Sequence, residues 1–258
     1  MTIKRSDIKA LIITGDGINC EVETAAAFRE QGINAEIIHI SDLISHPHRL
    51  NAAHILALPG GFSFGDEIGS GQILALKIKY SFEAELKKFI NDKKLVIGIC
   101  NGFQALVRLG LLPKPFEARE MTLTHNDQGH FINQWVDLNV TPSLCAWTTD
   151  LEGMVISLPI RHGEGKIVFK GDELTQEKTY QNLYENGQIA LSYTENVNGS
   201  YQNIAGVCDP TGRIFGLMPH PEAAISQWLY PSGKDKKDQK GFGEKIFSSA
   251  IKYCESNF

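Results

Sequence analysis

The chain has 258 residues, 42% hydrophobic and 21% charged, so it can bury a substantial core as one large α/β domain or two small ones. A formal net charge of -5 lacks the basic excess that a phosphate backbone demands, which argues against a nucleic-acid partner. Five cysteines, an odd number with no C-x-x-C pair, disfavour a disulfide framework or zinc knuckle; with no signal-peptide core and no membrane-length apolar stretch, a reducing, cytoplasmic protein without a membrane partner is expected.

Ala10 to Thr14 is a short apolar run closed by Gly15-Asp16-Gly17, and the helical pattern from Glu21 to Gln31 stops at Gly32. Ala35 to Ile40 and Ile55 to Leu58 are again strand-like, the second ending in Pro59-Gly60-Gly61. Phe82 to Asn91 reads as helix ahead of the strand Leu95 to Ile99. This alternation predicts a parallel sheet with helices on both faces, whose site lies at the carboxyl ends of the strands. After Leu112 the rhythm changes. Met121 to Thr124, Trp135 to Val140, Val155 to Leu158 and Ile167 to Phe169 read as strands with few helices between them, an antiparallel excursion. Ala190 to Tyr193, Ile204 to Val207 and Ile214 to Met218 continue as strands, and Gly243 to Cys254 closes the chain as an amphipathic helix. The expected fold is a three-layer α/β sandwich around a mostly parallel central sheet. It forms a single domain over residues 1–258, with a core of about 10–225 and a C-terminal helix and lysine-rich loop in 226–258. The lysine-rich run 233–241 reads as a solvated loop.

Gly98-Ile99-Cys100-Asn101-Gly102 follows an apolar strand and precedes the helix-like Phe103 to Leu109. A sharp strand-to-helix turn of this kind exposes one residue at its tip, and small neighbours permit it. The helix beneath would aim N–H groups and partial positive charge at the Cys100 sulfur. On the pentapeptide alone, a buried small residue is an equally good reading. A cysteine nucleophile needs a base, and the base needs a group to hold its tautomer. In the extended segment His220-Pro221-Glu222, residues i and i+2 share a side, so His220 and Glu222 can face one place; a plain turn is the alternative. Backbone N–H groups of Gly61, after the Gly60-Gly61 pair, and of Asn101, at the head of the helix, are candidate oxyanion donors.

Four blocks then occur in order: Pro-Gly-Gly-Phe-Ser-Phe-Gly-Asp (59–66), Gly-Ile-Cys-Asn-Gly-Phe-Gln (98–104), His-Gly-Glu-Gly (162–165) and Gly-Leu-Met-Pro-His-Pro-Glu (216–222). Together the set resembles the glutaminase of phosphoribosylformylglycinamidine synthase, a class I, triad-type glutamine amidotransferase of purine biosynthesis. The likeness runs from about residue 10 to 225. It implies Cys100 as nucleophile, His220 as general acid/base, Glu222 as its orienting partner, Gly61 and Asn101 as oxyanion donors, and Gln104 near the amino-acid end of L-glutamine. His162 and Glu164 match a family loop at the site or an interface. The same resemblance implies no metal or organic cofactor in this chain. ATP and Mg are expected on a partner synthetase subunit that converts formylglycinamide ribonucleotide to its amidine, with a small bridging subunit beside it. A glutaminase serving another synthetase, or a non-catalytic module on the same fold, are the alternatives. Departures are Ala223, where relatives carry arginine, and Gln128, His130 and Gln134, where fused relatives carry serine, arginine and arginine.

Overall fold

The structure is a computed structural model that describes residues 3–231 and 240–258. Strand β1 (Lys9–Thr14) leads to helix α1 (Glu21–Glu30), β2 (Asn34–His39), the short α2 (Ile40–Ser45) and β3 (Ile55–Leu58). Helix α3 (Gln72–Asn91), β4 (Leu95–Ile99) and α4 (Asn101–Arg108) follow. The excursion contributes β5 (Met121–His125), β6 (Ile132–Val140), β7 (Val155–His162), β8 (Glu164–Phe169) and α5 (Glu173–Glu185). β9 (Ile189–Tyr193), β10 (Ile204–Cys208), β11 (Ile214–Leu217) and α6 (Phe242–Asn257) complete the chain.

Nine strands form one sheet in the order β2-β1-β3-β4-β11-β10-β9-β6-β7, and β5 pairs with β8 in a small second sheet. From β2 to β11 every pairing is parallel, and from β11 to β7 every pairing is antiparallel. The expected parallel sheet with its antiparallel excursion is thus what the chain builds. β3, β4, β10 and β11 are buried at every position, as strands covered on both faces must be, and their sequences are correspondingly apolar without alternation. β6, further out, alternates instead: Val136, Leu138 and Val140 are buried, while Asp137 and Asn139 between them are exposed.

One helical layer joins α1 to α6, where the Phe28 and Phe247 rings meet edge-on at 4.9 Å and Trp147 packs on Phe28 at 6.4 Å. The other layer contains α3 and α4. Two helices differ from the sequence reading. α3 begins at Gln72, ten residues before Phe82, and is interrupted at Phe82, whose φ of -151° and ψ of 34° leave the helical region. α5 lies where strands with few helices were expected. Of the lysine-rich loop 233–241, all but Lys240 and Gly241 lies outside the described residues. No helix among the described residues is long and apolar enough to cross a membrane.

Candidate active site

Four loops leave the carboxyl ends of β1, β3, β4 and β11 and converge, because the register of the parallel strands brings those ends level. Leu58 of β3 faces Gly98 of β4, and Leu217 of β11 faces Ile99. The first two loops are tied by a pairing of Ile18 with Gly61. Its hydrogen bonds run from Phe62 N–H to the Gly17 carbonyl at 2.7 Å and from Asn19 N–H to the Gly60 carbonyl at 3.3 Å. In a pairing of this kind the Gly61 N–H is not used by the partner strand. Gly61 holds φ at +141°, and a Cβ there would lie 2.6 Å from the Gly17 carbonyl oxygen, so only glycine fits.

Cys100 caps β4 with φ 51° and ψ -106°, and α4 begins at the next residue. Its N–H donates to the Leu217 carbonyl at 2.8 Å, and its carbonyl accepts from Gln104 N–H at 3.1 Å. This is the sharp elbow expected from the sequence, but its tip is not exposed: Cys100 is buried and packs with the core. Gly98 and Gly102 make the elbow feasible through close approach: a Cβ on Gly102 would meet the Leu58 carbonyl oxygen at 1.8 Å, and one on Gly98 would meet the Gly102 oxygen at 2.6 Å. The Cys100 Sγ lies 3.6 Å from the Arg161 carbonyl.

His220 and Glu222 are both buried, and His220 Nδ1 lies 2.6 Å from Glu222 Oε1. Because a carboxylate only accepts, the proton of this contact sits on Nδ1, which leaves Nε2 as the nitrogen for Cys100. Burial alone would lower the His220 pKa, but the Glu222 carboxylate first and Cys100 second outweigh it and hold the imidazole well above its ordinary 6.5. The loop that carries both residues is fixed by the His220 N–H, which donates to the Pro159 carbonyl at 2.8 Å.

Asn101 ties the site together. Its Oδ1 accepts from Ser63 N–H at 3.1 Å, while its Nδ2 donates to Asp66 Oδ1 at 3.0 Å and to Gln104 Oε1 at 3.0 Å. Gln104 in turn donates through Nε2 to the Glu164 carbonyl at 2.5 Å. Burial pushes the Asp66 carboxyl pKa up, against the Gly71 N–H and the Asn101 amide that bring it down. One side-chain chain thus links the loop after β3, the elbow helix and the turn between β7 and β8.

That turn is His162-Gly163-Glu164-Gly165. His162 is buried, its Nδ1 is 3.0 Å from Asn126 Oδ1, and Asn126 returns a hydrogen bond to the His162 carbonyl at 2.8 Å. Burial, with a smaller push from His220, lowers the His162 pKa to about 4. The second glycine is required by the ring itself, since a Cβ on Gly165 would sit 2.3 Å from His162 Cε1. Glu164 Oε1 lies 3.6 Å from His125 Nδ1.

Cys100 stands between two clefts that share Gly61, Phe62, Phe131 and Arg161. The larger, about 410 Å³, is lined by Asn19, Cys20, Glu23, His220, Glu222 and Ala223. The smaller, about 250 Å³, holds Asp66, Ser70, Gln104, His125 and the turn 162–164. All eight residues singled out in the sequence therefore fall in or beside one site. Cys20, Asp66, Asn126, Phe131 and Arg161 were not assigned a role there. Cys20, Asp66, Asn126 and Phe131 lay inside stretches that resemble the family, but the contacts that bring all five to the site run between distant elements that spacing does not connect. Gln128 and His130 sit in an exposed turn, where Gln128 Nε2 donates to the Val197 carbonyl at 2.8 Å. Gln134 is exposed on β6.

A strand-end thiol that lines the same cleft as a carboxylate-held imidazole, on a doubly wound sheet, is an arrangement suited to attack on a carbonyl carbon, and the comparison with known proteins narrows the class. Residues 7–254 match the CobB/CobQ-like glutamine amidotransferase domain, and the chain belongs to that family. Within it, the chain is similar to the phosphoribosylformylglycinamidine synthase subunit PurQ. It is 40% identical to that of Methanococcus maripaludis, across 95% of this chain and 97% of the relative. It is 38% identical to that of Dehalococcoides mccartyi, across 96% and 98%. Among solved structures, PurLQS from Thermotoga maritima contains a chain that superposes with a TM-score of 0.75 at 32% identity, covering 96% of this chain and 99% of that one.

Proposed function

We propose that this chain is the glutaminase of a phosphoribosylformylglycinamidine synthase. It hydrolyses L-glutamine to glutamate and ammonia and supplies the ammonia to a synthetase subunit that aminates formylglycinamide ribonucleotide with ATP. The observation that carries the chemistry is the 2.6 Å contact between His220 Nδ1 and Glu222, which leaves Nε2 for Cys100. The 40% identity to a PurQ subunit supports the acceptor.

Cys100 Sγ, its proton held by His220, attacks the side-chain carboxamide carbon of glutamine. The Gly61 and Asn101 N–H groups receive the oxyanion. Collapse breaks the C–N bond, His220 gives its proton to the leaving nitrogen, and a γ-glutamyl thioester remains. Water, deprotonated by His220, then releases glutamate and restores the thiol. Each step uses a group of this chain, so the glutaminase half calls on no metal or organic cofactor; ATP and Mg belong to the synthetase half. Glutamine enters from the smaller cleft, where the Glu164 carboxylate faces its ammonium and Gln104 braces the Glu164 backbone. The departing nitrogen is on the His220 side, so ammonia emerges into the larger cleft.

The partners are that synthetase subunit and a small bridging subunit, as the PurLQS assembly of the Thermotoga maritima relative suggests. Five unpaired cysteines suit a reducing cytoplasm. In the reconstituted complex, Cys100→Ser is expected to abolish amidine formation from glutamine while leaving formation from added ammonium intact. Retained use of glutamine would sink the assignment, and loss of both would point to a failure of assembly.

A further inference from the structure

The larger cleft holds a second thiol that glutamine hydrolysis does not use. Cys20 precedes α1, its N–H bonded to the Gly60 carbonyl at 3.3 Å, so its side chain is fixed against the loop that carries Gly61. Its Sγ lies 3.9 Å from His220 Nδ1 and 3.3 Å from Asn19 Oδ1. One donor atom each from Cys20, His220 and Glu222 falls within a span of 4.8 Å. Glu222 Oε2 is buried with no hydrogen-bond partner. Gly60 makes the room, since a Cβ there would meet His220 Cε1 at 2.8 Å and Cys20 Sγ at 3.4 Å.

We propose that Cys20, His220 and Glu222 form a binding site for a thiophilic divalent cation of the zinc type, and that occupancy of this site switches the glutaminase off. The switching rests on the catalytic reading of Cys100 and His220; the binding does not.

Sulfur, imidazole and carboxylate are the donors that zinc takes in tetrahedral sites. Bonds of about 2.0–2.3 Å put tetrahedral donors about 3.5 Å apart. The present separations bracket that value: 3.9 Å from Cys20 to His220, and 2.6 Å from His220 to Glu222. The first must close slightly and the second must open by under about 1 Å, with water from the cleft as fourth ligand. On binding, the Cys20 thiol proton leaves to solvent, and the single proton of the neutral His220 ring moves from Nδ1, which takes the metal, to Nε2. A nitrogen that keeps its proton there cannot accept one from Cys100 or from water. The pairing with Glu222 is broken at the same time. Residues 20 and 220 are too far apart in sequence for ligand spacing to reveal the site.

The test uses the full chain carrying Cys100→Ser, so that the nucleophile cannot contribute sulfur. Titration with Co²⁺ alone is expected to give one ion per chain, with a thiolate-to-cobalt charge-transfer band and tetrahedral d–d absorption that Zn²⁺ displaces. Adding Cys20→Ser, or Cys20→Ala as a second variant, removes the charge-transfer band and weakens binding by at least about 10-fold. In chains that retain Cys100, the Zn²⁺ concentration for half inhibition of glutamine hydrolysis rises at least about 10-fold with Cys20→Ser, each variant being compared with its own metal-free rate. A band that survives loss of Cys20, or no band at all, overturns the site. Inhibition equal with and without Cys20 assigns the metal to Cys100 and overturns it as well. Cobalt binding without inhibition overturns the switch alone, whereas glutamine hydrolysis by the Cys100→Ser chain overturns the catalytic reading and leaves the binding result standing.

Discussion

Cys100 holds a backbone geometry, φ 51° and ψ -106°, that residues with a side chain avoid at a cost of about 1–3 kcal/mol. The cost is met by bonds on both sides, to Leu217 and from Gln104, and the result is a buried residue at the strand tip that still lines both clefts. The proposed proton traffic runs through His220, whose pKa is raised, against its burial, chiefly by the Glu222 carboxylate. Glu222→Gln is therefore expected to shift the His220 titration downward, read from its imidazole NMR signals, and to lower kcat by about 10²- to 10⁴-fold. An unmoved titration would show that Glu222 is not the source of the shift. His162 behaves in the opposite sense. Its folded pKa of about 4 lies below the ordinary 6.5, so between those values the unfolded chain binds a proton that the folded chain refuses. Stability must fall as pH drops through that window, by about 3 kcal/mol in all from this one group. Urea unfolding across that pH range should show a shallower slope for His162→Gln, by about one proton.

At the scale of elements, the elbow depends on β3 passing against α4 with no side chain between them. Gly102→Ala places a methyl group against the Leu58 carbonyl and is expected to cost about 2–4 kcal/mol in urea unfolding. Gly163→Ala, which meets nothing closer than 3.9 Å, should cost under about 1 kcal/mol. The same contrast explains what the sequence could reveal. β3, β4 and β11 were legible because strands covered on both faces are written as unbroken apolar runs between glycine-rich turns. α5 was not, because Leu183 alone among its residues is buried, and a solvent-facing helix carries no apolar stripe; its one signal was the cap, where Asp172 accepts from Thr175 N–H at 3.0 Å. The first half of α3 does carry a helical period in Leu74, Ala75 and Ile78, but it follows a glycine-rich loop that reads as turn. In the site, Cys100, His220 and Glu222 could be named from local spacing and resemblance. The roles of Asn101, Asp66 and Asn126 as ties between loops depend on contacts across distant segments. The His-Gly-Glu-Gly turn had no chemical reason in the sequence; a buried ring lying on Gly165 supplies one.

On the scale of the whole molecule, the site lies where the parallel half of the sheet gives way to the antiparallel half. Cys100 follows β4 and His220 follows β11, the last of the parallel strands. Both are buried throughout, so hydrogen exchange should find their amides the slowest, outlasting those of α5 by about 10²-fold or more. Similar rates in the two would mean that the sheet opens as easily as a surface helix.

The insertion of β11 between β4 and β10 also dictates an order of events during synthesis. A nascent chain that has emerged only as far as the excursion has made Cys100 but not the strand that closes the far edge of β4, nor the histidine that follows it. Until residues 214–217 appear, β4 is an open border able to pair with a foreign strand, and its thiol has no base beside it. The proposed catalytic centre is therefore completed only after the whole excursion has emerged, and a chain truncated within the excursion would be inert and prone to aggregation through that exposed border.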